Sequence, residues 1–280
     1  MEATSLNHDD APAAAAPFCA GNWQFAAAQQ RGSSHETTGG VCEDAYSVSM
    51  PTPDLLVIAV ADGAGCAEHA LTGATAASER GAAQLCARLA LADAALDDPT
   101  LAEMLREAMA AALEAVQEEA VIRQVSDHEL ATTLILVVAH REFIAAAQIG
   151  DGAAVIADES GEILSLTVPV PGEYINEVVF LTSANAIQTA QVKIRRGRAT
   201  RVAVSSDGLQ MLCLKWPEFT PHDAFFTPLF DFIAGATDEL QAAQELEAFL
   251  NSEKIAALTD DDRTLVLAAL RNEDHANHQS

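Results

Sequence analysis

Hydrophobic positions in this chain change their period twice. Residues 55–61, Leu-Leu-Val-Ile-Ala-Val-Ala, form a continuous apolar run that stops at Asp62-Gly63. That is the pattern of a strand buried on both faces that delivers its last residue to a site. Helical spacing follows, with a first helix expected over about 70–92 (Leu71, Ala74, Leu85 and Leu89 on one stripe) and a second over about 100–124, carrying Leu101, Met104, Leu105, Leu113 and Val116. Asp98-Pro99-Thr100 marks the break between them. The period then drops to two: residues 131–139, 143–149, 153–157 and 162–167, punctuated by His140-Arg141-Glu142, Gly150-Asp151-Gly152 and residues 158–161, read as a meander of antiparallel strands. Further strands are expected over 178–183, 190–195 and 200–205, helix over 238–257, and a closing strand over 264–270. Helices and antiparallel strands in separate blocks indicate an α+β fold, not a doubly wound parallel sheet.

Composition narrows this picture. Half of the 280 residues are apolar, enough for a substantial core. No Gly/Ser-rich or Pro-rich linker divides the chain, so one domain is expected over 19–271, between a disordered leader over 1–18 and a polar tail over 272–280. No apolar run approaches the roughly 20 residues needed to span a bilayer, and the N-terminus lacks the basic start of a signal peptide. A cytoplasmic protein is expected. Five cysteines, odd in number and without a Cys-x-x-Cys pair, suit reduced thiols, including Cys42 and Cys66 beside acidic motifs. The net charge of -26 argues against nucleic acid or an anionic membrane as partner. It also means that a phosphorylated substrate must be attracted by bound cations or local basic groups.

Five short acidic motifs carry the candidate chemistry: Glu43-Asp44, Asp62-Gly63-Ala64-Gly65, Gly150-Asp151-Gly152, Ser206-Asp207-Gly208 and Asp261-Asp262-Arg263-Thr264. Carboxylates far apart in sequence, at the ends of apolar strands, compose a hard-cation site assembled by the fold. All-oxygen ligands suit magnesium or manganese and suit zinc poorly. Two such ions can share and acidify a water for attack on phosphorus. Neither a Gly-x-Ser-x-Gly elbow nor a Cys-x5-Arg phosphate loop occurs, so no protein nucleophile is indicated.

The order of these motifs, with a Thr-Thr strand between the second and third, resembles the metal-dependent protein phosphatases of the type 2C class over about residues 31–270. Gly32-Ser33-Ser34-His35 followed by Cys42-Glu43-Asp44-Ala45 is most similar to a bacterial branch. The resemblance implies a four-layer αββα sandwich, two central antiparallel sheets flanked by helix pairs, with a two-metal centre at one edge. It implies hydrolysis of phosphoserine and phosphothreonine in proteins, and a cognate serine/threonine kinase. By motif, Asp62 would bridge two manganese or magnesium ions, Gly63 would offer its carbonyl, and Asp207 and Asp261 would complete one metal's shell. Glu43 and Asp44 would hold the other ion, and Asp151 matches an aspartate that can bind a third, weaker one.

Departures from the family pattern lie elsewhere. The arginine that many relatives carry a few residues before Glu-Asp is missing from residues 37–42, and the nearest upstream is Arg31. Ala64 stands where some relatives have a general-acid histidine, leaving His35 and His69 as substitutes. Asp262 replaces a common asparagine. A catalytically silent module that binds metal and a phosphoprotein partner is therefore the alternative. Asp260-x-Asp262-x-Thr264 also matches the haloacid dehalogenase-like signature, but only sixteen residues follow Thr264, too few for that fold. Lys193, Arg195, Arg196, Arg198 and Arg201 form a basic cluster readable as a docking surface or as a charged sheet edge.

Overall fold

The computed structural model describes residues 22–92, 96–169 and 178–271; the expected leader and tail, and Cys19, lie outside the described residues. Two five-stranded antiparallel sheets form its centre. The first has the spatial order β2 (Asp44–Thr52), β3 (Leu55–Asp62), β4 (Leu134–His140), β5 (Phe143–Ile149) and β8 (Gln191–Arg196). The second has the order β1 (Trp23–Gln30), β12 (Arg263–Leu270), β9 (Ala199–Ser205), β6 (Ala153–Asp158) and β7 (Ile163–Thr167). A two-stranded ribbon, β10 (Leu214–Lys215) and β11 (Thr220–Pro221), lies apart from both.

Alternation along the central strands builds the layers. Leu56, Ile58 and Val60 of β3 and Ile135 and Val137 of β4 point between the sheets, where they pack with Ile156, Val202, Val204 and Val266. The intervening Val57, Ala59, Ala61, Leu134, Leu136 and Val138 face outward. They are covered by α2 (Ala70–Ala90) and α3 (Asp98–Arg123), through residues such as Ala74, Leu85, Leu105 and Met109. On the far side, α6 (Asp223–Gly235) and α7 (Glu239–Leu250) lay Phe226, Phe230, Ile233, Leu246 and Leu250 against Val155, Ala203, Leu265 and Leu267 of the second sheet. Both faces of β3 and β4 are thus buried, which is why their sequences run apolar without interruption. Short helices α1 (Ser33–Thr38), α4 (Ala186–Thr189), α5 (Gln210–Cys213) and α8 (Glu253–Ala256) serve as connections. The four-layer expectation holds.

Several local expectations change. The meander is wrong: β4–β5 is a hairpin of the first sheet and β6–β7 a hairpin of the second, so Gly150-Asp151-Gly152 carries the chain from one sheet to the other. Residues 178–183 form no strand. Leu181 is buried beneath the helix layer, and its N–H meets Thr132 O at 2.7 Å, so the apolar run there reflects burial without ladder pairing. The stretch 168–185, a candidate flap, lies partly outside the described residues. Helix α3 starts two residues earlier than expected because Asp97 is the cap, its side chain accepting from Thr100 N at 2.9 Å, and Pro99 fits the first turn. Helix α6 had no counterpart in the periodicity reading. Its buried positions Phe226, Leu229, Phe230 and Ile233 follow helical spacing, but Pro228 interrupts the local signal.

The basic cluster belongs mainly to β8, an edge strand. Arg196 lies 2.6 Å from Asp98 and over the Phe143 ring, Arg195 is 3.5 Å from Asp158, and Arg198 is 4.0 Å from Glu159. Arg201 donates to Phe230 O. These local partners support the charged-edge reading. Among the described residues no helix is long and apolar enough to cross a membrane.

Candidate metal centre

Antiparallel register brings the five motifs to one end of the sandwich. Asp44 opens β2 directly opposite Asp62, which closes β3. In the other sheet Ser205, the last residue of β9, pairs with both Ala153 at the start of β6 and Leu265 near the start of β12. Asp151, Asp207 and Asp261 therefore emerge at the same edge, each just outside a strand end. Carboxylate oxygens of Asp62, Asp151 and Asp207 lie within 4.8 Å of one another.

Polar side chains lock this floor. Thr133 Oγ1 accepts from Asp62 N at 3.0 Å, while Thr132 Oγ1 and Thr133 N donate to Asp62 O at 2.9 and 2.8 Å. Gly63 N donates to Glu43 O at 3.2 Å. Ser206 Oγ donates to Asp44 Oδ2 at 2.8 Å and accepts from Thr264 N at 3.0 Å, tying the two sheets together through a buried carboxylate. Gln210 Nε2 donates to Asp151 O at 3.1 Å, and Gln148 Nε2 donates to Gly152 O at 2.7 Å. Gly150 takes φ +107°, which lets the chain cross between sheets beside Thr133. Backbone approach is closest at Gly208, where an added Cβ would stand 1.9 Å from Asp262 O.

The electrostatics are those of anions in need of a cation. Burial, followed by the charges of Asp44, Asp207 and Asp151, pushes the Asp62 carboxyl well above the usual carboxylate range. Burial raises Asp44 as well, against the hydrogen bonds it accepts. Asp151 is pushed up to about 7 by burial and by Asp207, and Asp261 is raised for the same reasons. Asp44 is 1% exposed, and its Oδ1 has no hydrogen-bond partner among the described residues. Unpaired buried carboxylate oxygens, all-oxygen donors and mutual repulsion fit a divalent ion of the magnesium or manganese type.

Placement of the remaining candidates is uneven. His35, on α1, lies between Asp262 Oδ2 (3.0 Å from Nδ1) and Glu43 Oε2 (3.7 Å from Nε2). Burial opposes its protonation, but the Asp262 hydrogen bond and the charges of Asp262, Glu43 and Asp261 outweigh it and raise its pKa. Burial raises Glu43 too. The Arg31 guanidinium donates to Gly40 O at 2.8 Å and lies 4.0 Å from Glu36. His69 precedes α2, with its N–H bonded to Glu129 O at 2.8 Å, and it is not drawn into the carboxylate group. Cys42 is held as a thiol, its pKa raised by burial and by Asp44 and Asp262. The residues that sequence reasoning left without roles are Thr132, Thr133, Ser206, Gln148 and Gln210. All are neutral hydrogen-bonding side chains without a charge pattern, and the signals were the Thr-Thr pair just before β4 and the place of Ser206 in the Ser206-Asp207-Gly208 motif.

Comparison with known proteins agrees with this geometry. The family model "Protein phosphatase 2C" matches residues 31–251. The chain is 32% identical over 256 residues to Serine/threonine-protein phosphatase 3 of Escherichia coli (strain K12), covering 88% of this chain and 98% of that one. Among solved structures, the S. agalactiae serine/threonine phosphatase aligns with a TM-score of 0.60 at 16% identity, covering 89% of this chain and 100% of that one. Serine/threonine phosphatase Stp1 from Staphylococcus aureus aligns with a TM-score of 0.60 at 15% identity, covering 89% and 95%. RsbX, crystallised in complex with magnesium, aligns with a TM-score of 0.52 at 13% identity, covering 89% and 95%. With its four layers, its acidic edge and a family match over most of its length, the chain belongs to the protein phosphatase 2C family.

Proposed function

We propose that this protein hydrolyses phosphoserine and phosphothreonine in proteins at a centre of two manganese or magnesium ions. The observation that carries this reading is the convergence of Asp62, Asp151 and Asp207 from both sheets, beside a buried Asp44 with an oxygen unpartnered among the described residues. Two such ions supply an acidified water as nucleophile and neutralise charge building on the phosphoryl oxygens. In this reading Asp62, held by Thr132 and Thr133, and the carbonyl of Gly63 would help hold the ions. Asp207 and Asp261 would hold one ion, Glu43 and Asp44 the other, directly or through water, and Asp151 would help bind a third, weaker one. Ser206 keeps Asp44 at a fixed distance from the second sheet, so the spacing of the two halves does not depend on the ions alone.

Phosphoprotein substrates imply an opposing serine/threonine kinase. Free thiols at Cys42, Cys66, Cys86 and Cys213 support a cytoplasmic site of action. The test is manganese-dependent hydrolysis of a phosphopeptide, with Asp62→Asn as control; equal rates in the two proteins would sink the reading.

Two observations favour a second reading, a metal-binding module without turnover: the Arg31 guanidinium is engaged with Gly40 O and Glu36, and Ala64 offers no acid. Calorimetry with manganese and phosphopeptide separates the two. Binding of both with no release of phosphate selects the module.

A further inference from the structure

The family resemblance leads to the expectation of an amide at position 262, and the groups around Asp262 suit a carboxylate. Its Oδ1 accepts from Gly32 N at 2.7 Å and its Oδ2 from Glu43 N at 2.6 Å, with the side chain 4% exposed. Each oxygen meets a backbone N–H, so both must be acceptors. An asparagine would turn its NH2 group against one of those donors. His35 Nδ1 lies 3.0 Å from the same Oδ2, which assigns the ring proton to Nδ1 and aims Nε2 at Glu43. Glu43 Oε2 is 3.7 Å from Nε2, and it is buried without a hydrogen-bond partner among the described residues. One carboxylate thereby holds both the backbone of Glu43 and the imidazole that faces its side chain.

We propose that Asp262 and His35 are positioning residues for Glu43. Asp262 fixes the ring, and the ring fixes the direction in which the Glu43 carboxylate enters the metal centre, which sets the affinity for the divalent ion. The inference rests on the reading of Glu43 as a ligand. Residues that orient a ligand from behind typically change metal affinity by about ten- to a hundredfold when removed.

The experiment is manganese titration calorimetry on the full chain, with thermal melting of each metal-free variant to establish folding. His35→Ala is expected to weaken manganese binding about tenfold. His35→Gln places an amide where Nε2 was and should recover most of that loss, whereas His35→Asn replaces only the Nδ1 contact to Asp262 and should not. Paired with Glu43→Gln, His35→Ala should add nothing further, because its effect passes through Glu43. Rescue by His35→Asn and not by His35→Gln overturns the proposal and leaves the imidazole a structural tie to Asp262. Unchanged manganese affinity in His35→Ala, with Glu43→Gln impaired, overturns the proposal and spares the ligand reading. Unchanged affinity in Glu43→Gln removes both.

Discussion

The floor of the candidate centre and its rim are built differently. Asp44, Asp62, Asp151, Asp207 and Asp261 stand at or just beyond strand ends whose positions are fixed by ladder register in two sheets. His35 and His69 stand on α1 and at the start of α2, where no ladder determines direction, while Arg31 directly follows β1. Asp62, Asp151 and Asp207 converge within 4.8 Å, and Asp44 and Asp261 act on that group electrostatically; of the three flanking residues His35 joins the motif carboxylates, held by Asp262. A β-ladder transmits sequence position into space; a six-residue helix must borrow its placement from whatever it packs on.

Substitutions can press on that contrast, beginning with the largest effect. Asp62→Asn should lower phosphopeptide turnover roughly a hundredfold or more, as loss of a preorganised group at developing charge does. Steady-state kinetics under saturating manganese checks this, and a loss under about threefold would mean that the floor is not the reacting centre. Gly208→Ala places a methyl group against the carbonyl of Asp262 and should cost about 3 kcal/mol of stability in urea denaturation. A cost below about 0.5 kcal/mol would show that the loop is free to shift.

The floor should also have a pH signature. A carboxyl whose folded-state pKa is raised stabilises the fold while protonated, so the contribution of Asp151 is full below 3.8 and lost as the pH rises through about 7. Asp62, Asp44 and Asp261 shift in the same direction. Metal-free protein should therefore lose stability across that window. At a fixed manganese concentration the rise in melting temperature should increase toward alkaline pH, reaching roughly 5 °C or more where that concentration is about 100 Kd. A manganese shift that is flat with pH contradicts the crowded-carboxylate picture. The smallest effect belongs to the rim: Arg31→Ala, which removes contacts to Gly40 and Glu36, should change KM for a phosphopeptide by less than about threefold. A tenfold rise would mean that Arg31 swings inward to grip phosphate.

Much of the fold was legible because burial on two faces leaves an unmistakable pattern. Strand β5 matches its expected bounds, β3 differs by one residue, and α2 and α3 by only a few. Sheet membership was not legible. Phe143–Ile149 and Ala153–Asp158 look like successive strands of one meander, yet the crossing at Gly150-Asp151-Gly152 sends them to different sheets. Local sequence carries a turn's tightness but not the partner that the next strand will find, since pairing is decided by contacts up to two hundred residues away. Residues 178–183 failed for a related reason, their apolar character serving helix packing instead of a ladder.

The sequence alone determined which side chains could hold a divalent ion, because carboxylates at the ends of apolar strands have few other uses in such numbers, and motif order pointed to the family. Tertiary structure decided which of the flanking groups meet them. It engaged Arg31 with Gly40, left His69 outside the clustered carboxylates, and set Asp262 beside His35 and Glu43 through backbone N–H groups from positions 32 and 43. The physical reason is that a ligand's chemistry resides in its own side chain. Its orientation resides in hydrogen bonds from residues distant in the chain, and only the folded backbone brings those within reach.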